Sequence, residues 1–260
     1  MRDVGVPGYN LRSIDEALQL RFFQKKPDGT PAERWELKEV EVACPRDKIR
    51  EHLRRCGFVD KTTPMEKQYD YAAWPGALMV RAVGRLQDLE DVWGQDVEWG
   101  KTIVFGGKRP LQANKEGFGQ YVSLLNILPT EGLSLLWNEI SPQTELDMMR
   151  FVWEGSIFFH NAVFVDAPMK PPLKEGGPPV RPTTEDTVNE WLKSNPKPGS
   201  VLLSSGAPYG MAMDEAFWML LEPHGFTVET FGHPAPDLPI ENFIREVAGC
   251  VNRIRRARLG

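Results

Sequence analysis

The chain has 260 residues, 41% of them hydrophobic and 26% charged, with a formal net charge of −5. That length and apolar content suffice for one sizeable core, and the acidic balance excludes a general nucleic-acid-backbone binder, which needs a positive footprint spread over a face. Cys44, Cys56 and Cys250 stand far apart without CxxC spacing, which indicates neither a disulfide framework nor a zinc site and fits a reducing compartment. No apolar run approaches the roughly 18 residues that span a bilayer, and the first residues carry no signal pattern, so a cytoplasmic protein without a membrane span is expected.

In chain order, Ser13 can cap a short helix over residues 14–22, with Glu16 in the capping-box position. Lys26-Pro27-Asp28-Gly29 reads as a turn, residues 35–42 as a weakly alternating edge strand, and residues 46–56 as a helix between Pro45 and Gly57. Residues 1–66 therefore read as an N-terminal extension packed on a domain that spans 67–260. In that domain a strand over 68–73 precedes a helix whose Ala82, Leu86, Leu89 and Trp93 share one face. A strand over 102–105 leads into an insertion at 110–142, with helical stretches around 119–128 and 133–138. From Thr144 onward helices and strands alternate: strands over 162–165, 200–204 and 227–230 are separated by helices carrying Trp153, Trp191 and residues 211–221, and a last helix carries Phe243 to Ile254. The basic cluster Arg253, Arg255, Arg256 and Arg258 ends that helix, where cations suit the negative pole of the dipole. The pattern predicts an α/β fold, a three-layer Rossmann-like sandwich with a mostly parallel sheet and helices on both faces. The proline-rich segment between Asp166 and Pro182 is expected to cross the carboxyl edge of the sheet as a loop.

In open α/β sheets ligands bind at the carboxyl ends of strands, which directs attention to three places. Gly106-Gly107-Lys108-Arg109 offers backbone N–H groups and two cations to an anion, or else is a tight turn with solvated charges; it matches neither GxGxxG nor a P-loop. Arg181-Pro182-Thr183-Thr184-Glu185-Asp186 opens a helix; capping explains its threonines and acids, while Arg181 is placed to reach an anionic ligand. Thr144-Glu145 begins another helix in the same way. Ser204-Ser205-Gly206-Ala207-Pro208-Tyr209 follows a strand like a nucleophile elbow, but GxSxG is absent and only His233 stands near the end of a strand to serve a triad. No pair of His, Asp or Glu shows metal-ligand spacing, so no metal site is expected.

The order of these motifs resembles the YdcF, SanA and ElyC family of envelope-associated and cytosolic proteins. The matching positions are Trp74-Pro75-Gly76-Ala77 with Arg85-Leu86, Gly106-Gly107, Thr144-Glu145, Thr183-Thr184-Glu185-Asp186, and Ser204-Ser205 through Tyr209, across about residues 67–235. Asp186 stands where the family has Asn, and the histidine and arginine of the last motif are missing, with Tyr209 and Asp214 in their neighbourhood. The resemblance implies a Rossmann-like sheet with a polar cleft, and a nucleotide or S-adenosylmethionine as ligand.

These readings converge on an enzyme, a hydrolase or transferase, acting on a nucleotide-containing or phosphorylated small molecule. Gly106, Gly107, Lys108, Arg109 and Arg181 would hold the anion, Thr183, Ser204, Ser205 and Tyr209 would donate hydrogen bonds, and Glu145, Glu185 or Asp186 would supply acid–base chemistry. The alternative is a non-catalytic interaction protein with a degenerate site, whose protein partner docks on 110–142 through Phe118, Tyr121, Leu135, Leu136 and Trp137. A third reading is an S-adenosylmethionine-dependent methyltransferase, for which this sequence lacks the expected acidic residue closing the second strand and a glycine-rich first loop.

Overall fold

The computed structural model describes residues 10–24, 37–112, 114–124, 131–156, 161–172 and 174–259. In chain order its elements are helices α1 (Leu11–Phe22) and α2 (Arg46–Arg55), strand β1 (Gln68–Pro75), helix α3 (Met79–Trp93), strand β2 (Glu98–Gly107), helices α4 (Phe118–Leu124), α5 (Glu131–Ile140) and α6 (Glu145–Glu154), and strand β3 (Ala162–Ala167). Helix α7 (Thr184–Leu192), strand β4 (Ser200–Ser204), helix α8 (Gly210–Leu221), strand β5 (Thr227–Phe231) and helix α9 (Ile240–Leu259) follow. The chain divides into two compact units, one made of Thr63–Ser205 with Ala216–Gly232, the other of Met1–Thr62 with Gly206–Glu215 and His233–Gly260.

The first unit holds a five-stranded sheet in the order β3-β2-β1-β4-β5, every neighbouring pair parallel. Its central strands are apolar on both sides, as a parallel sheet covered on both faces requires. On β1, Trp74 points to the face covered by α3 and α6, where Leu86, Leu89, Phe151 and Trp153 are buried with it. Tyr71 and, on β2, Phe105 point the other way. There Phe105 meets Trp191 of α7 edge-on at 5.6 Å and Phe217 of α8 at 5.2 Å. Helices thus cover both faces, in the three-layer Rossmann-like sandwich that the alternation of elements predicts.

An antiparallel bridge from Pro110 to Thr144 closes the insertion at its base. Its helices are α4 and α5, and residues 125–128 of the expected 119–128 stretch lie outside the described residues. The insertion turns inward, for Tyr121 and Trp137 both pack on Phe151 with ring centroids 4.8 Å apart. Leu135 remains exposed, and nothing is described of the side chain of Leu136.

The second unit is a helical cluster in which Leu18, Phe22, Ile49, Leu53, Phe243 and Ile244 are buried together. The N-terminal segment expected as an extension shares this unit with α9. Helix α1 begins three residues before the expected start, because Asn10 accepts from the Ser13 backbone N–H and Ser13 completes the box from the N3 position. Of the strand expected over 35–42, residues 35 and 36 lie outside the described residues, and residues 37–42 form no strand. Two members of the basic cluster are committed to ion pairs here, Arg255 to the buried Asp15 at 2.6 Å and Arg253 to Glu215 at 2.7 Å. Among the described residues no helix is long and apolar enough to cross a membrane.

Candidate functional site

At the carboxyl edge of the sheet, glycines let neighbouring segments close onto the strand ends. A Cβ on Gly106 would stand 2.6 Å from Leu146 Cδ1, and one on Gly107 2.6 Å from Pro182 Cγ. A Cβ on Gly76, just past β1, would lie 2.8 Å from both Glu145 Cδ and the Phe105 carbonyl oxygen. Gly106 and Gly107 therefore belong to β2 itself, buried and in register with Asp166 and Ala167 of β3, and their small size makes room for α6 and the loop before α7. The first exposed residue after them is Lys108, whose Nζ lies 3.8 Å from Asp166.

Arg109 turns back under this edge and meets two carboxylates. Its Nη1 and Nη2 donate to Glu116 Oε2 and Oε1 at 2.8 and 2.7 Å, a forked pair, and Glu116 Oε2 also accepts from the Gln112 N–H at 2.9 Å. Glu145 Oε1 receives longer contacts from Nη2 and Nε, at 3.2 and 3.4 Å, while the carbonyl oxygens of Pro110 and Ala77 accept from Nη1 and Nη2. Every N–H of Arg109 is thereby directed at a protein acceptor. Glu116 is completely buried, and the Glu145 side chain keeps 14% of its surface in solvent. Burial pushes the Glu145 carboxyl above the ordinary glutamate range; Arg109 pulls it back, Glu116 adds to the rise, and Arg181 opposes it. Glu145 Oε2 makes no hydrogen bond with the described residues and lies beside Gly76.

Helix α6 opens with a capping box between Thr144 and Asp147, and α7 opens with the same device between Thr183 and Asp186. Asp186 Oδ2 accepts from the Thr183 N–H and hydroxyl at 2.6 and 2.7 Å and pairs with Lys170 at 2.7 Å. Burial works against this carboxylate's charge, but Lys170 and Thr183 win and hold it below the ordinary aspartate range. Thr183, Glu185 and Arg181 are exposed. Arg181 makes no hydrogen bond or ion pair with the described residues, and its charge reaches Glu145.

Between the ends of β1 and β4, where the strand order reverses, stands the buried Arg85 of α3. Its Nη1 donates to the carbonyls of Pro75 and Gly76 at 2.9 and 3.1 Å, and its Nη2 to Ser205 Oγ at 3.2 Å. Ser204 Oγ donates to the Arg85 carbonyl at 2.8 Å, and neither serine has exposed surface. Both hydroxyls thus brace the switch point from inside. Tyr209 belongs to the other unit, where it is buried.

The structure therefore brings Gly106, Gly107, Lys108, Arg109, Glu145 and Arg181 to one edge, with Thr183, Glu185 and Asp186 at the next helix start. Lys108, Arg181, Thr183 and Glu185 are exposed, and the Glu145 side chain is partly so. Sequence reading missed Glu116 as a member, because its only signal is an acid seven residues beyond Arg109 in an insertion. Arg85 stood in the sequence only as part of a resemblance. Among the described residues no group of three or more His, Cys, Asp or Glu could hold a metal ion. The chain matches no family model, no curated protein and no solved structure.

Proposed function

We propose that this is a YdcF-like enzyme, a hydrolase or transferase, that takes a nucleotide-containing or otherwise phosphorylated small molecule at the carboxyl edge of β1 and β2. The observation that carries the reading is the pairing of a largely buried carboxyl, Glu145, with an exposed guanidinium, Arg181, that no described residue engages, at the end of a parallel sheet. A guanidinium fork matches a phosphate, and Lys108 adds a second exposed cation on the same edge. Glu145 Oε2 would give its proton to the leaving oxygen as the phosphorus–oxygen bond breaks, and would recover one from the attacking water or acceptor hydroxyl. In this reading Arg109, Ser204 and Ser205 build the site from beneath instead of touching the ligand. The order of the motifs along the chain, with Gly106-Gly107 ending β2 and capping boxes opening α6 and α7, supports the resemblance. Nucleotide or S-adenosylmethionine as ligand rests on that resemblance alone.

The test is native mass spectrometry of freshly purified protein, followed by thermal-shift titration with nucleoside monophosphates, sugar phosphates and S-adenosylmethionine. A retained mass, or a melting temperature that climbs with ligand concentration as linkage requires, supports the reading. A K108A/R181A variant that responds like the parent, or a parent that responds to nothing in the panel, overturns it.

A further inference from the structure

We propose that Glu116, acting through Arg109, is a positioning residue that leaves Glu145 the proton-holding group of the site, with Oε2 as the atom that carries the proton. The proposal rests on the functional reading above and deepens it. Two carboxylates share one guanidinium in a place largely closed to water: Glu116 has no exposed side-chain surface, Arg109 11% and Glu145 14%. One positive charge cannot neutralise both, and a surplus buried negative charge is relieved by taking up a proton.

The geometry decides which carboxyl takes it. Glu116 holds the guanidinium in a forked pair at 2.7 and 2.8 Å and gains a backbone N–H at 2.9 Å, so Arg109 is spent first on this carboxylate. Glu145 receives only the contacts of 3.2 and 3.4 Å, both on Oε1. Its Oε2, beside Gly76, makes no hydrogen bond with the described residues, so the proton belongs there. The charged groups that face Glu145 are Arg109 and Glu116 from the segment after β2 and Arg181 from the loop before α7. Were Glu116 neutral, Arg109 would turn its whole charge to Glu145 and keep it ionised.

The measurement is a carbon-13 titration of the full chain labelled at glutamate carboxyl carbons, the Glu145 signal assigned by its loss in E145Q. The parent is expected to show Glu145 titrating above the ordinary glutamate range, and E116Q to move that midpoint down by about 1 pH unit or more. E116D keeps the charge but draws it back from Arg109, so it should shift the midpoint the same way by less; it also serves as the readout should E116Q fail to fold. A parent midpoint at or below the ordinary range, or a midpoint unmoved in the folded variant, overturns the proposal. No ligand enters this experiment, so its outcome is separable from that of the binding panel.

Discussion

The opening turns of α6 and α7 make an instructive pair. Each lies against the end of β2, each has threonine at the cap, and each has aspartate three positions on, with the threonine hydroxyl accepting the aspartate N–H at 3.3 Å in both. What differs lies in the next two positions. In α6 these are Glu145 and Leu146, and Leu146 is buried on Gly106 so that the turn sinks into the sheet edge. In α7 they are Thr184 and Glu185, and the turn stays at the surface. The same local capping chemistry thus presents one carboxyl that burial drives toward protonation, Glu145, and one that a lysine and a cap keep ionised, Asp186. Cap motifs say where a helix begins; the strand beneath decides what its acids do.

The largest expected effect tests the buried side of this contrast. Arg109→Met strands the buried Glu116 carboxylate beside the Glu145 carboxyl and should cost about 3–5 kcal/mol by urea denaturation, whereas Lys170→Met beside Asp186 should cost no more than about 1 kcal/mol. Equal losses would erase the distinction. Gly76→Ala forces a methyl against the Glu145 carboxyl and the Phe105 carbonyl and should cost about 1–3 kcal/mol, again confined to the α6 side. Thr144→Ala and Thr183→Ala should each lose about 1 kcal/mol, and similar losses would show that the caps themselves are equivalent. The finest distinction is in pH dependence. A carboxyl raised in the folded state gives stability that is lost as pH rises from the ordinary glutamate value through the folded one, so the parent should lose stability relative to E145Q over that interval. A carboxylate lowered in the folded state gives stability that is lost as pH falls, so the parent should lose its advantage over D186N below the ordinary aspartate value. Slopes of the same sign would remove the contrast.

The parts of the fold legible in the sequence are those that depend on neighbours along the chain. Alternating strand and helix patterns predict the parallel sheet, and Thr144 and the pair Thr183-Thr184 announce the starts of α6 and α7. The site was legible only as an address. Gly106 and Gly107 look like a phosphate loop because glycine pairs often are; their reason here is Leu146 and Pro182, which only the fold brings near. Arg109 looks like an anion hook until Glu116 claims its fork. Ser204 and Ser205 look like ligand donors at a strand end, yet α3 places Arg85 against them across the sheet. Polar groups read from sequence are read as if facing water, and Arg109, Ser204 and Ser205 are instead spent on partners inside the protein.

The Arg85 brace has a consequence for how the chain assembles. Arg85 and Ser205 are 120 positions apart, and β1 lies between β2, its near neighbour in the chain, and β4, which follows only after the insertion, β3 and α7. During synthesis β1, β2 and β3 can pair while the far side of β1 still shows unmatched backbone groups, the kind of edge on which chains stick to one another. Closure of that edge waits for residues 200–204, and the contacts of Arg85 with the two serines form in the same event. A chain halted short of β4 is therefore expected to be recovered in aggregates, and the late arrival of one strand, more than any weakness of the core, sets the vulnerable interval of this fold.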